Sequence, residues 1–262
     1  LKTDVLSFSA KLRMATELLR GRKQGDDDES LAAFVRRRFG REALERIAQP
    51  MIAGIYTADP EKLSLKATFP QFLEFERSHG SVIRALRARA RNSRAEAAAA
   101  GPRYGMFVTL RRGMGSMIDA LVSALPEGAL RLNNPVQALQ SRADGVRAND
   151  QPFDGAILAL PAHASAALLR PADSGLADAL GSIEYAGAAV VNFIFKREQI
   201  AHAMDGIGAV IPAVEKRRLI AFSFSSVKFE GRAPDGLAIV RVFMGGALNP
   251  AVAALPEAEL TA

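Results

Sequence analysis

The chain has 262 residues, of which 49% are hydrophobic and 24% charged, and a net charge of +6. That length suits one large domain or two smaller ones, and the composition is that of an ordinary folded protein. There is no cysteine, which excludes disulfides, zinc–thiolate centres, iron–sulfur clusters and thiol catalysis, and no apolar run approaches the roughly 20 residues that cross a bilayer.

The charge is uneven. Residues 1–100 carry 19 Lys+Arg against 13 Asp+Glu, a net of +6, while residues 101–262 carry 15 of each. The first part is therefore the one expected to meet an anionic surface. Nucleic acid is not expected as a partner: with no Trp and three Tyr, a basic face with aromatic stacking platforms is hard to build. Leu1 in place of Met, and Thr261-Ala262 following an acidic helix start, read as ends cut from something longer.

Residues 1–100 read as helical. Val5-Leu6, Phe8, Leu12, Met14 and Leu18-Leu19 recur at helical spacing. Asp26–Glu29 and Ser30 form a cap-competent acidic start for a second helix with an apolar stripe of Leu31, Phe34 and Val35. Gly40 offers a stop, and Arg41–Ala48 reads as a further helix that Pro50 ends. In the helix expected over Ser81–Ala100, Arg84, Arg87, Arg91 and Arg94 share one face. Ala97–Ala100 with Gly101-Pro102 marks a boundary, after which the pattern changes. Met106–Leu110 reads as a strand, Arg111–Gly115 as a glycine-rich turn and Ser116–Leu125 as a helix. Short strands are expected at Leu130–Leu132 and Val136–Leu139, a buried strand at Phe153–Leu160, and a helix at Ala162–Leu169. Beyond Ala186 the chain reads as extended, at Ala188–Phe195, Ala209–Ile211, Leu219–Phe224 and Leu237–Met244. The order is a helical block, a mixed block and a sheet-rich block, an α/β or α+β class with an inserted helical region.

Chemistry-bearing motifs are sparse. The turn in Thr109–Met117 has the strand–glycine–helix order that can receive a phosphate, but Ile118 stands where the dinucleotide fingerprint needs its third glycine. His79, His163 and His202 have no acidic or histidine partner at metal-ligand spacing, and no metal is expected. The arginine face after Arg84 reads either as a solvated helix side or as a surface for anionic lipid.

Five stretches carry a resemblance. They are Phe34–Gly40 running on to Gly54-Ile-Tyr-Thr-Ala-Asp59-Pro60-Glu-Lys-Leu63-Ser64, Leu110–Leu121, Ala156–Ala162, Phe222–Phe229 with Gly231–Pro234, and Val242–Gly246. Together they resemble the protoporphyrinogen oxidase family of the flavin amine oxidase superfamily, in family order and over nearly the whole chain.

The resemblance implies an incomplete Rossmann-like FAD-binding domain, a mixed-sheet substrate domain and an inserted helical membrane-associated domain. Residues 1–100 would be the helical domain, 101–167 a returning segment of the FAD domain and 168–262 a truncated substrate domain. It implies oxidation of protoporphyrinogen IX to protoporphyrin IX in haem biosynthesis, with FAD as hydride acceptor and oxygen as final acceptor. A coproporphyrinogen III oxidase of the same fold, another flavin amine oxidase or desaturase, and a non-enzymatic membrane-surface module are the alternatives.

The resemblance further places Gly54 in the substrate cavity, Ile211 and Ser223 on either side of a pyrrole ring, Phe243 stacked on another ring, and the Val136 backbone against the FAD adenine. Ser223 departs from the apolar residue usual there. Thr57 and Ala58 stand where some members have glycine. No catalytic acid or base is implied. The porphyrinogen substrate, a peripheral position on the inner face of the cell membrane and a homodimer are the implied partners and place. The sequence holds no G-x-G-x-x-G turn, so this length of chain is expected to hold FAD weakly and to be inactive alone.

Overall fold

In the computed structural model, residues 3–99 and 108–261 are described. Residues 100–102 of the boundary expected at 97–102 and the first two residues of the strand expected at 106–110 lie outside the described residues, as does the side chain of Arg94; residues 108–110 are irregular, so the described part of that segment is no strand. The chain divides into two compact units, residues 1–111 with 186–262, and residues 112–185.

The helical part of the first unit begins with α1 (Phe8–Ala15) and α2 (Leu31–Arg38), whose N-caps Ser7 and Ser30 accept from Ala10 N–H at 3.2 Å and Ala33 N–H at 3.1 Å. Helix α2 buries Leu31, Phe34 and Val35 on its apolar stripe. Its last carbonyls are taken by arginines: Arg13 donates to the carbonyls of Arg37 and Arg38 at 3.0 and 3.1 Å, and Arg20 to that of Arg37 at 2.8 Å. Gly40 follows at φ 97°, and a Cβ there would stand 2.9 Å from Arg13 Cγ. The Phe34–Gly40 signature is thus a capped helix end.

Helix α3 (Arg41–Ala43) does not stop at Pro50. It passes through a π-helical turn, Leu44–Ala48, into α4 (Gln49–Tyr56). Proline at the start of α4 has no N–H to give, and the widened turn absorbs the missing bond, so the helix continues where the sequence predicts its end. Thr57 closes α4 in the left-handed region at φ 50°.

The Asp59–Ser64 segment then fixes the start of α2. Ala32 N–H donates to Pro60 C=O at 3.0 Å, Leu31 N–H to Leu63 C=O at 2.9 Å, and Ser64 hydroxyl to Asp28 at 2.5 Å. Helices α5 (Leu65–Thr68), α6 (Pro70–His79) and α7 (Val82–Ala99) complete the block. The core is Leu31, Phe34, Val35, Leu44, Ile52, Leu65 and Val82, with Phe69 and Phe72 against it.

A buried ion cluster sits beside this core. Arg38 is fully buried and paired with Glu17, itself buried. Glu17 also accepts from Ser81 hydroxyl at 2.5 Å and Val82 N–H at 2.9 Å. Arg37 bridges Glu29 at 2.7 Å and Glu76 at 2.8 Å. Burial alone would raise the Glu17 and Glu76 carboxyls, but the hydrogen bonds and the arginine charges outweigh it and hold both below the usual carboxylate range.

The rest of this unit is a four-stranded antiparallel sheet of β4 (Ala188–Lys196), β5 (Gly208–Val210), β6 (Leu219–Phe224) and β7 (Leu237–Gly245), in the order β4-β7-β6-β5. One face is closed by Met204 and Ile200 packed on Phe222, Phe224, Ala238 and Val240.

The second unit holds α8 (Gly115–Ala124), a three-stranded antiparallel meander β1 (Leu139–Arg142), β2 (Gly145–Ala148) and β3 (Gln151–Phe153), and a helix pair α9 (Ala162–Leu169) and α10 (Ser174–Gly181). The expected strands at 130–132 and 136–138 are irregular, and the expected buried strand over 153–160 is not one: only Phe153 pairs, and Ile157 is 96% exposed. A buried strand needs neighbours on its edges and cover on its faces. The described residues of this unit offer the 154–160 run neither.

Candidate functional site

Three of the residues singled out by resemblance come together on the open face of the four-stranded sheet. Directly opposed residues of an antiparallel pair share a face. Val190 opposes Phe243, Phe243 opposes Ala221, and Ala221 opposes Val210, so these four form one row across all strands. The next row on the same face is Asn192, Arg241, Ser223 and Gly208. Phe243 and Ser223 are therefore near neighbours, one strand step apart.

Gly54 meets the end of the first row. It lies exposed on α4, and a Cβ built on it would stand 3.1 Å from Val210 Cγ1. Met51 and Ile55, on the same side of α4 as Gly54, are exposed, Ile55 by 69%. The result is an apolar corner between a helix and a sheet face, with Val190, Val210 and Ile194 exposed along it.

Main-chain contacts fix the corner. Gly246 N–H donates to Gly187 C=O and Ala247 N–H to Thr57 C=O, both at 2.8 Å. A Cβ on Gly246, which sits at φ 77°, would meet Thr57 O at 2.9 Å, and one on Gly245, at φ 90°, would meet Gly187 O at 2.9 Å. The paired glycines after Met244 are needed for this close approach of β7, β4 and the end of α4. Thr57 holds the left-handed conformation that glycine adopts most easily.

Ile211 stands apart from the other three. It lines a cavity of about 250 Å³ with Gln49, Ala53, Thr57, Lys216 and Gly246. Gln49 accepts from Ala213 N–H at 2.9 Å there.

Arg241 was not among the residues singled out from the sequence. Its Nε donates to Asn192 Oδ1 at 2.8 Å. The available signal was period-two spacing, which puts an arginine two residues before Phe243 on the same face.

Val136 lies in the other unit, on an irregular segment held by one side chain. Asn149 Oδ1 accepts from Gln137 and Ala138 N–H at 2.9 and 3.2 Å, and its Nδ2 donates to Pro135 C=O at 3.2 Å. Among the described residues Val136's own N–H and C=O make no hydrogen bond. A fixed, unpaired peptide edge of this kind has a free donor and acceptor, which is compatible with the rim of a planar heterocycle such as that of FAD. The turn before α8 fits it less. Ser116 and Met117 N–H are spent on Gly113 and Met114 carbonyls at 3.2 and 3.0 Å, which makes it a self-satisfied turn. No group of three or more potential metal ligands exists among the described residues.

A model of flavin containing amine oxidoreductases matches residues 1–262. The chain belongs to that family. Membership implies FAD as the cofactor. The chain is 34% identical to coproporphyrinogen III oxidase from Propionibacterium freudenreichii subsp. freudenreichii, over 98% of this chain and 54% of that protein. It is 28% identical to mitochondrial protoporphyrinogen oxidase from Nicotiana tabacum, over 99% of this chain and 58% of that one. A crystal structure from Exiguobacterium sp. 255-15, provisionally named a protoporphyrinogen oxidase, superposes with a TM-score of 0.80 at 23% identity, over 99% of this chain and 55% of that one. That likeness shows the fold alone. The chain spans about half the length of the curated relatives it matches.

Proposed function

We propose that the full-length protein is an FAD-dependent porphyrinogen oxidase of haem biosynthesis. The observation that carries this is the apolar corner at Gly54, Val210 and Phe243 in a family member whose relatives are named for porphyrinogen oxidation. A flat, apolar macrocycle suits an exposed sheet face with an aromatic on it and a helix with no side chain at its nearest point.

When bound, FAD supplies the hydride acceptor, with oxygen as the final acceptor. The residues of this chain bind and orient. Phe243 gives a ring to stack on, Ser223 and Val210 flank it, Ile211 and its cavity extend the lining, and Gly54 leaves room. The Val136 segment holds the adenine edge, and residues 101–167 are a returning segment of the flavin-binding domain. Side chains with no acid–base dyad among them suit chemistry that the cofactor carries.

In this reading protoporphyrinogen IX is the substrate. Coproporphyrinogen III is the second reading, favoured by the 34% identity to an oxidase of that name. The basic helical block would rest on an anionic membrane surface, the protein lying peripherally on the inner face of the cell membrane as a homodimer; no helix among the described residues is long and apolar enough to cross. Co-sedimentation with anionic vesicles, lost in high salt, tests the surface contact.

The main test is purification of the full-length protein, its flavin spectrum, and porphyrin fluorescence growing from protoporphyrinogen IX and coproporphyrinogen III side by side. Faster growth with the first supports the primary reading, and with the second the alternative. A yellow protein inert on both ends the haem assignment and leaves the flavin family.

A further inference from the structure

We infer that Arg241, oriented by Asn192, is the carboxylate-anchoring residue of the open sheet face and takes a propionate group of the porphyrinogen; this rests on the reading of the corner as a porphyrinogen site. Arg241 stands in the centre of the polar row Asn192–Arg241–Ser223–Gly208, next to the apolar row that holds Phe243. Residues two apart on a strand are about 7 Å apart. A ring stacked on Phe243 thus carries its short acidic side chains over Arg241.

The environment of Arg241 points to a ligand rather than to a structural ion pair. Its Nε is committed to Asn192 Oδ1 at 2.8 Å, which turns the guanidinium and leaves the fork of its two terminal amino groups. Among the described residues no carboxylate pairs with that fork. The strand residues of this face are Ala188, Val190, Asn192, Ile194 and Lys196 on β4, Leu237, Ile239, Arg241, Phe243 and Gly245 on β7, Ala221 and Ser223 on β6, and Gly208 and Val210 on β5. None is acidic. The charged strand residues of this face are Arg241 and Lys196, both cations, beside the neutral polar Asn192 and Ser223. Arginine held on one edge and free on the other is pre-organised for two parallel bonds to one carboxylate. Ser223, opposite Arg241, offers a hydroxyl to the same group.

The test uses the full-length flavoprotein and porphyrin binding, read by fluorescence quenching without turnover. Wild type, R241M, R241K and N192A are titrated with a porphyrin bearing free propionates and with its methyl ester. R241M is expected to weaken the free acid roughly ten- to a hundredfold and the ester less than about twofold, with an unchanged flavin spectrum. R241K retains part of the preference for the acid, as a point charge without the fork. N192A costs the acid a few-fold and the ester nothing. Equal weakening of acid and ester in R241M and N192A would make Arg241 a structural residue and overturn the assignment while leaving the porphyrinogen reading intact. So would no change in either. A flavin-loaded wild type that binds neither porphyrin sinks the porphyrinogen reading, and the Arg241 assignment goes with it.

Discussion

At the scale of single residues, Gly54 is the position where local preference and site geometry disagree. Glycine in a helix interior costs about 1 kcal/mol against alanine. Here the glycine is exposed, with the nearest side-chain atom 3.1 Å from where its Cβ would stand. G54A is expected to leave melting of the full-length protein within about 1 kcal/mol, the helix gain offset by pressure on Val210. G54L, by projecting into the corner, is expected to raise the porphyrinogen KM at least about tenfold for lost ring contact. Steady-state kinetics and a thermal melt on both variants check this, and a G54L enzyme with wild-type KM would move the site elsewhere. Gly54, Phe243 and Ser223 were legible through the resemblance alone, since nothing in their spacing separates a site from a sheet core. Arg241 was legible from period two once β7 was in hand. The resemblance covers apolar positions of this face and leaves Arg241 out.

At the scale of elements, the helical block rests on a buried charge cluster as well as on apolar packing. E17Q would leave the buried Arg38 with only Glu76, 3.5 Å away, as counter-charge, for an expected loss of about 3 kcal/mol in denaturant unfolding. The pH response has a definite sign. Glu17 and Glu76 are held below their ordinary range in the fold, so their contribution is complete above the unfolded-state value near about 4.3. It is lost as pH falls from there through the lower folded values. Melts from pH 7 down to pH 3 should show wild type losing stability below about pH 4.3, with a flatter decline for E17Q. The strands β4, β6 and β7 were readable because alternation and β-branched content agree. The continuation of α3 into α4 was not, because a proline reads as a stop unless a π-turn is available, and that depends on tertiary packing.

At the scale of the whole molecule, the two units differ in how much they bury. In residues 112–185, Ser165, Ala166 and Ala177 are the buried positions among the described residues. Ile118, Leu121, Val122 and Leu125, spaced along one face of α8 and its end, are exposed, as is Ile157. The composition of 153–160 reads as a buried strand, which the structure does not bear out. What composition cannot supply is the cover. The 262-residue chain alone is therefore expected to bind a hydrophobic dye and to show fast amide exchange across 112–185, with no retained FAD after gel filtration. The full-length protein should show the reverse. Slow exchange across 112–185 in the isolated chain would mean that this unit needs no further partner.

The junction of Thr57, Gly187, Gly245 and Gly246 gives the site a particular capacity for change. Its frame is main chain meeting main chain, while its lining at Val190, Val210, Ser223 and Phe243 is side chain. Lining residues can be exchanged one at a time without disturbing the frame. Gly245 and Gly246 have no such freedom, because any side chain there would press on a main-chain oxygen and force the frame itself to move.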